Sequence, residues 1–109
     1  MIRFDRRVAF DRRVGSKDAD GNVQQRWQPL CALWANVRET PGREAVKAGR
    51  VTASHTATIW LRAGPLARGI TAGDRAVYRG IAWDILGASP AGADGRIIEL
   101  LVETEGRAP

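Results

Sequence analysis

The strongest constraint on the fold is a doubled segment near the start of the chain. The five residues Phe4–Val8 are repeated, letter for letter, as Phe10–Val14, six residues later. Because six is a multiple of two, both copies present the same face on a β-strand, whereas on an α-helix they would lie about 240° apart. One face is mainly apolar and the other charged, so the sequence predicts a half-buried first strand. The spacing is too short for a repeat architecture, whose period is about 20–50 residues.

Further short strands with turn signals between them are expected along the rest of the chain. They are Val23–Trp27, Leu33–Glu39, His55–Arg62, Asp74–Tyr78, Ile81–Ser89 and Arg96–Glu103. Lys17–Asn22 and Arg79-Gly80 are predicted to be hairpin turns, residues 63–73 a loop and residues 90–95 a turn. Pro29 is expected to end the second strand, since proline lacks the N–H that a ladder needs.

One short helix is predicted between the third and fourth strands. Thr40 can cap its start, Pro41 suits the first helical position, and Gly49 can end it. The capping box is incomplete because Arg43 stands where Glu or Gln would be expected. Together the elements predict a mostly β protein, a small antiparallel β-barrel or sandwich of about six to seven strands with one short α-helix.

Length and composition narrow the organisation and the compartment. With 109 residues, of which 44% are apolar, the chain is expected to form a single domain over residues 1–109. No apolar run approaches the roughly 18 residues of a membrane span, and no apolar stretch follows the basic start as in a signal peptide. Cys31 is the only cysteine, so an internal disulfide and a Cys-x-x-Cys metal pair are excluded.

The residues that usually carry catalysis form no recognisable set. His55, the only histidine, lies on the more apolar face of its predicted strand, and Cys31 reads as a small core residue rather than a reactive thiol. The glycines are scattered among loops and do not form a phosphate-binding loop. The sequence therefore predicts no enzyme, no cofactor and no metal site.

The net charge of +5 lies entirely in the first half of the chain. Residues 1–50 carry 11 Lys and Arg against 6 Asp and Glu, whereas residues 51–109 carry 6 of each. A nucleic-acid-binding arm is one interpretation, because phosphate neutralisation drives such binding. The strand parity favours a second interpretation, in which Arg3, Arg7 and Arg13 form a basic face. This face would dock on neighbouring protein rings or line a DNA conduit.

Two tryptophans fall on the polar faces of their predicted strands. Trp34 shares its face with Asn36 and Arg38, and Trp60 shares its face with Arg62. Tryptophan and arginine are enriched at the centres of protein interfaces, so Trp34, Trp60 and Arg62 are candidate interface residues. Ordinary packing against the protein's own strands is the alternative.

The pattern resembles the family of phage head–tail joining proteins, also called head–tail adaptor or head-closure proteins. Landmarks with matching order and spacing run through most of the chain. In the first half they are Arg7, Val8 and Phe10, then Asp18 and Gly21, Trp27, Trp34-Ala35-Asn36-Val37, and Gly42-Arg43-Glu44 leading into a short helix that ends near Ala48. In the second half they are Thr56, Ile59 and Arg62, then Ile70-Thr71, Asp74-Arg75, Gly80, Trp83, Ile85, and the run from Ile98 to Glu103.

Two features depart from the family pattern. Trp83 stands where the family usually has Phe or Tyr, and the loop Ala63–Gly69 is slightly long.

The resemblance implies a small, mostly antiparallel barrel or sandwich that forms a ring of identical subunits, sixfold or twelvefold. Such a ring lies between the portal or its adaptor and the tail terminator or tail tube. It closes the head after packaging of double-stranded DNA and provides the tail attachment surface. The expected location is the virion, assembled in the bacterial host cytoplasm, and a gene transfer agent is an alternative particle.

Within such a ring, the segment Thr40–Ala53 is predicted to project toward the channel or the adjoining ring. Arg43, Lys47 and Arg50 would then face DNA or an acidic partner. The alternative is a helix that merely covers one end of the barrel. Two other functions remain open at this point: a small β-barrel nucleic-acid-binding module, and a tail-completion or terminator protein.

Overall fold

A computed structural model describes residues 2–47, 50–106 and 108–109, with the backbone alone for Ser16, 41–47 and 50–54. The described chain forms β1 Arg6–Lys17, β2 Val23–Lys47, β3 Arg50–Arg62, α1 Pro65–Arg68, β4 Arg75–Tyr78, β5 Ile81–Ala91 and β6 Ile97–Thr104. The strands pair antiparallel and close into a barrel in the order β1-β2-β3-β6-β5-β4. The predicted mostly β fold with one short helix is confirmed, but the helix lies elsewhere in the chain.

The barrel interior is filled by alternate residues of the strands. In β1, Val8 and Phe10 are fully buried, whereas Arg7 and Arg13 on the opposite face are exposed, as the doubled segment predicts. The other strands follow the same period of two, and each large apolar side chain removed from water contributes about 2 kcal/mol. The largest of these further core residues are Ile59, Leu61, Tyr78, Trp83, Ile85, Ile98, Leu100 and Val102.

The prediction that Pro29 ends a strand is wrong. β2 runs through it, so the predicted second and third strands are one strand of 25 residues. The register between β1 and β2 shifts there, because Phe10 pairs with Cys31 but Asp11 pairs with Pro29, which leaves Leu30 as an extra residue. The described pairing of β2 with β3 begins only at Ala35. Proline is tolerated here because the ladder with β1 is irregular at this point and the described ladder with β3 has not yet begun.

The predicted helix after Thr40 is also wrong over the described residues. β2 continues to Lys47 and pairs with β3 through the partners Arg43↔Ser54 to Lys47↔Arg50. The register shift between Thr40 and Arg43 accommodates the Pro-Gly step, and pairing with β3 gives the segment a partner strand, whereas one short helix is marginal by itself. The predicted helix end at Ala48 and Gly49 lies outside the described residues.

The ends of β2 and β3 form a two-stranded ribbon, which we define as residues 43–47 and 50–54. In the described pairings, the β3–β6 ladder starts at His55↔Thr104, so the ribbon is not flanked by a third strand. Its five residue pairs correspond to a length of about 17 Å. The molecule is elongated, measuring 52 × 38 × 22 Å with a radius of gyration of 15.4 Å, against about 13 Å for a compact domain of this size.

The short helix α1 lies in the segment predicted to be an irregular loop. Pro65 occupies its first turn, where no N–H is needed, and Gly69 follows its last residue. Ala67 of the helix is buried against the core. The helix therefore covers part of the barrel, and its single turn is too short for a periodic sequence signal.

The predicted hairpin between β4 and β5 is confirmed. Arg79 and Gly80 both have positive φ, 53° and 73°, which suits the twist of a two-residue hairpin turn. The turn at residues 90–95 is shorter than predicted, because β5 continues to Ala91.

Candidate functional site: the outer face of the barrel

Trp34 is the most exposed of the tryptophans on the outer face of the barrel. Its side chain is 54% exposed on β2, directly opposite Arg7 of β1. The Arg7 guanidinium lies over the indole ring, 5.3 Å from its centre. A cation over an aromatic face contributes about 0.5–1 kcal/mol at an exposed site and fixes the ring in place. Trp34 thus presents a large apolar side chain that Arg7 holds in place and that remains mostly exposed to water.

Trp60 is more deeply integrated into its own sheet. It is half-buried on β3, where its Nε1 donates a hydrogen bond of 3.2 Å to Glu99 Oε1 of β6. The Arg38 guanidinium of β2 lies over the indole ring, 4.5 Å from its centre. Both contacts are cross-strand contacts within one molecule, so they favour the packing interpretation for Trp60.

The three arginines of the predicted basic face do not share one environment. Arg13 lies 4.8 Å from the centre of the Trp27 ring, and Arg75 lies 4.5 Å from the same centre. Arg13 and Arg7 are six residues apart on β1, a distance of about 20 Å along a strand. Arg3 precedes β1 and is exposed, and its backbone carbonyl accepts a hydrogen bond of 3.0 Å from Asn36.

Arg62, the remaining candidate on β3, lies over the ring of Phe4, 4.6 Å from its centre. Arg62 is exposed and Phe4 is half-buried. The contact holds the segment before β1 against the end of β3. The structure therefore brings Arg7 and Trp34 together but gives Arg62, Trp60 and Arg13 separate partners.

The seam between β1 and β4 closes the barrel and was not foreseen from the sequence. Its described ladder has only three residue pairs, Ala9↔Val77, Phe10↔Ala76 and Asp11↔Arg75. Asp11 also accepts a hydrogen bond of 2.9 Å from Arg75 Nε. Asp11-Arg12 in β1 thus faces Asp74-Arg75 in reversed order, which pairs each acid with a base.

The second pair at the seam, Arg12 with Asp74, is bidentate. Arg12 Nε donates to Asp74 Oδ1 and its NH2 group donates to Oδ2, both at 3.0 Å. Asp74 is only 4% exposed, and its Oδ2 also accepts from the backbone N–H of Thr71 at 2.9 Å. Arg12 further donates to the carbonyl oxygen of Gly69 at 2.7 Å. These bonds tie the α1 loop, which we define as residues 63–74, to β1.

Charge and burial compete at the Asp74 carboxylate. Burial would raise the pKa of Asp74, but the hydrogen bonds from Arg12 and Thr71 outweigh it and hold that pKa below its ordinary value. The same bond raises the pKa of Arg12. Asp74 is therefore ionised at neutral pH, and the pair is a structural clamp.

The single cysteine and the single histidine lie in different surroundings. Burial, and then the charge of Asp74, raise the pKa of the Cys31 thiol, which keeps it in the unreactive thiol form. His55 is exposed at the point where β3 begins to pair with β6. Among the described residues no cluster of three or more His, Cys, Asp and Glu side chains could hold a metal ion.

An exposed apolar patch on β5 and β6 was missed by sequence reasoning. Leu86 is 56% exposed and Leu101 is 52% exposed. The β5–β6 register shifts between Ile85 and Gly87, which makes Leu86 the extra residue beside the Gly87↔Leu101 pair. The available signal was Leu101, an apolar residue on the predicted solvent face of the last strand.

The basic residues of the ribbon are placed by the backbone register. Lys47 pairs with Arg50, and Arg43 pairs with Ser54. All three basic residues thus belong to the ribbon, beyond the β3–β6 ladder.

No helix within the described ranges is long and apolar enough to cross a membrane.

Comparison with known proteins supplies an independent line of information. The family model described as phage head completion protein matches residues 1–105. No curated protein matches the chain. A chain in the virion of a native gene transfer agent particle is similar in structure, with a TM-score of 0.75, 24% identity, and 92% of this chain and 93% of that chain covered.

A protein from Shigella flexneri 2a, known from a solution structure, is also similar. The TM-score is 0.64 at 19% identity, and the match covers 91% of this chain and 90% of that one. At these identities the two likenesses concern the fold: the barrel recurs in both, over nearly the whole length of each chain.

Proposed function

The chain belongs to the phage head completion protein family, whose model matches residues 1–105, and from this premise we propose that it is a connector subunit of the virion. Identical copies form a ring, sixfold or twelvefold, between the portal or its adaptor and the tail terminator or tail tube. The ring closes the head after DNA packaging and provides the site of tail attachment. Packaged double-stranded DNA passes through it, and assembly takes place in the bacterial host cytoplasm. The particle is a phage or a gene transfer agent.

The observation that carries this proposal is the ribbon. In the described pairings it leaves the barrel as two strands without a third, and it carries Arg43, Lys47 and Arg50. Only Glu44 offsets these charges between residues 43 and 50. Basic groups on a projecting segment suit a channel that must hold a polyanion, because phosphate neutralisation is independent of base sequence. The ribbon therefore reaches the DNA or the adjoining ring while the barrel remains in the ring wall.

The barrel supplies the rigid part of such a subunit. Its core is continuous from β1 to β6, and the Arg12–Asp74 pair ties the α1 loop to it. A ring of rigid bodies can keep a fixed diameter while a two-stranded extension adapts to its surroundings, since isolated hairpins have little stability of their own.

The test is removal of the gene from a strain that produces the particle. We expect heads to package DNA and then lose it, and heads without tails to accumulate. Expression of the chain in trans restores tailed, filled particles. A three-dimensional reconstruction of the restored particle should show a ring of this barrel at the portal vertex. Normal tailed particles from the deletion strain would contradict the proposal.

A nucleic-acid-binding module is the second candidate, and the exposed Arg7–Trp34 pair favours it, because such proteins combine basic groups with aromatic stacking surfaces. It predicts that the isolated chain binds oligonucleotides tightly and with a steep loss of affinity as salt rises. The connector proposal predicts weak binding to free oligonucleotides. A tail-completion or terminator protein would instead leave closed, filled heads when the gene is removed.

A further inference from the structure

Two exposed apolar surfaces of opposite charge lie on different sides of the barrel. The basic patch consists of Trp34 with Arg7, on β1 and β2. The acidic patch consists of Leu86 and Leu101 with Asp84 and Glu103, on β5 and β6. In the closed strand order β1-β2-β3-β6-β5-β4, β3 separates the two patches on one side and β4 on the other. They cannot meet within one molecule.

The basic patch has the composition of an interface centre. Trp34 leaves more than half of its surface in water although tryptophan is among the residues that proteins cover most completely. Within the described part of the chain Arg7 forms no ion pair, and its contact there is the Trp34 ring. Its charge is thus available to a carboxylate of another molecule.

The acidic patch offers a complementary shape. Gly87 lies opposite Leu101, and nothing stands within 4 Å of the place where a β-carbon on Gly87 would lie. The leucine is therefore uncovered on that side, next to the extra residue Leu86. Asp84 and Glu103 are directly paired across β5 and β6. Arg75 stands opposite Asp84 on β4, and Arg13 and Arg75 line one pocket together with the two carboxylates, but Arg75 forms its ion pair with Asp11. Among the described residues, neither Asp84 nor Glu103 has an ion-pair partner. Two adjacent like charges favour a cationic partner.

From this complementarity we propose that the basic patch of one subunit docks on the acidic patch of the next copy of this chain. Trp34 lies against Leu86 and Leu101 in the space beside Gly87, and Arg7 pairs with Asp84 or Glu103. The contact is head to tail, so its repetition produces a ring when the rotation closes. The inference rests on the proposed ring and specifies which two surfaces build it.

The most direct test uses a carbodiimide, which joins an amine to a carboxylate in direct contact. In particles that carry Arg7→Lys, we expect covalent ladders of the subunit, with the peptide around position 7 joined to the peptide of Asp84 or Glu103. Arg26→Lys is the matched control, because Arg26 is an exposed arginine eight residues before Trp34 on β2. It should give no such ladder.

Charge exchange supplies the second measurement. Arg7→Glu should lower the number of subunits per particle about tenfold or more, because the reversed charge meets two carboxylates in every contact. The double change Asp84→Lys with Glu103→Lys should do the same, and the two sets combined should restore incorporation. Arg26→Glu should leave it unchanged.

The outcomes separate this inference from the proposed function. If the wild-type chain is in the particle but Arg7→Lys gives no cross-link and Arg7→Glu incorporates normally, the ring is built by other surfaces and the inference is wrong. Cross-links of position 7 to a different protein would assign the basic patch to the portal or tail side and overturn it too. Absence of the wild-type chain from particles would refute the proposed function itself.

Discussion

The β1–β4 seam and the β2–β3 ribbon are both short ladders, yet they differ in what flanks and reinforces them. The seam has three described residue pairs, and two ion pairs reinforce it. The ribbon has five pairs, and the described ladders place no third strand beside it. The arginines of the seam are thus neutralised by carboxylates within the barrel, whereas the ribbon carries three basic residues on a segment that extends beyond the barrel.

The comparison predicts that the seam carries stability and the ribbon does not. Asp74→Asn should give the largest loss, because it removes the charge that Arg12 and the Thr71 N–H share in a buried site. Because the Arg12 left behind is 42% exposed and can be solvated, we expect a decrease of about 2 kcal/mol in the free energy of unfolding. Urea denaturation followed by tryptophan fluorescence measures it, and a loss below about 1 kcal/mol would show that the seam is not the clamp.

Acid should weaken the same clamp without any substitution. The folded pKa of Asp74 lies below its unfolded value, so the pair adds stability above the unfolded pKa of about 3.9, and that stability is lost as the pH falls through the folded value. The free energy of unfolding of the wild type should therefore fall below about pH 4. Asp74→Asn should show a shallower decline, and equal slopes in both proteins would contradict the assignment.

The outer pair of the seam should contribute less. Asp11 and Arg75 are each about 15% exposed as side chains, and both groups are more hydrated than Asp74. Asp11→Asn keeps the shape and removes the charge, so we expect a loss of about 1 kcal/mol. Measuring the free energy of unfolding of Asp74→Asn and Asp11→Asn in one denaturation series ranks the two ion pairs. A larger loss for Asp11→Asn would contradict the role assigned to the Arg12–Asp74 pair.

The smallest effect on stability is expected in the ribbon. Reversing all three charges with Arg43→Glu, Lys47→Glu and Arg50→Glu should change the free energy of unfolding by no more than about 0.5 kcal/mol, because the residues lie beyond the barrel ladders. A loss as large as that of Asp74→Asn would mean that the ribbon supports the barrel.

Sequence reasoning succeeded where a local pattern decides the structure. The parity of the doubled segment placed Val8 and Phe10 inside and Arg7 outside, and the positive-φ pair Arg79-Gly80 formed its turn. Sequence reasoning failed where pairing with a distant segment of the chain determines the structure. Thr40 and Pro41 carried a helix start signal, but β3 offered pairing partners to Thr40 and to residues 43–47, on both sides of the Pro-Gly step.

The candidate site shows the same division. Trp34 was identified because a large ring on a polar face is visible in the alternation of β2. The Arg12–Asp74 pair joins residues 62 positions apart, and the acidic patch depends on an extra residue in β5, so neither follows from spacing along the chain. Family landmarks had already included Asp74-Arg75, and the seam now gives those two residues a physical role.

In the proposed connector, the ribbon acts on DNA or on the adjoining ring while the barrel holds the subunit in place. The decisive measurement is DNA retention and tail joining by particles complemented with the triple ribbon reversal Arg43→Glu, Lys47→Glu and Arg50→Glu. The matched control reverses three exposed arginines outside the ribbon, Arg26, Arg68 and Arg96. We predict that the ribbon variant enters particles yet leaves heads empty or untailed, whereas the control is normal. Filled, tailed particles from the ribbon variant would contradict the account.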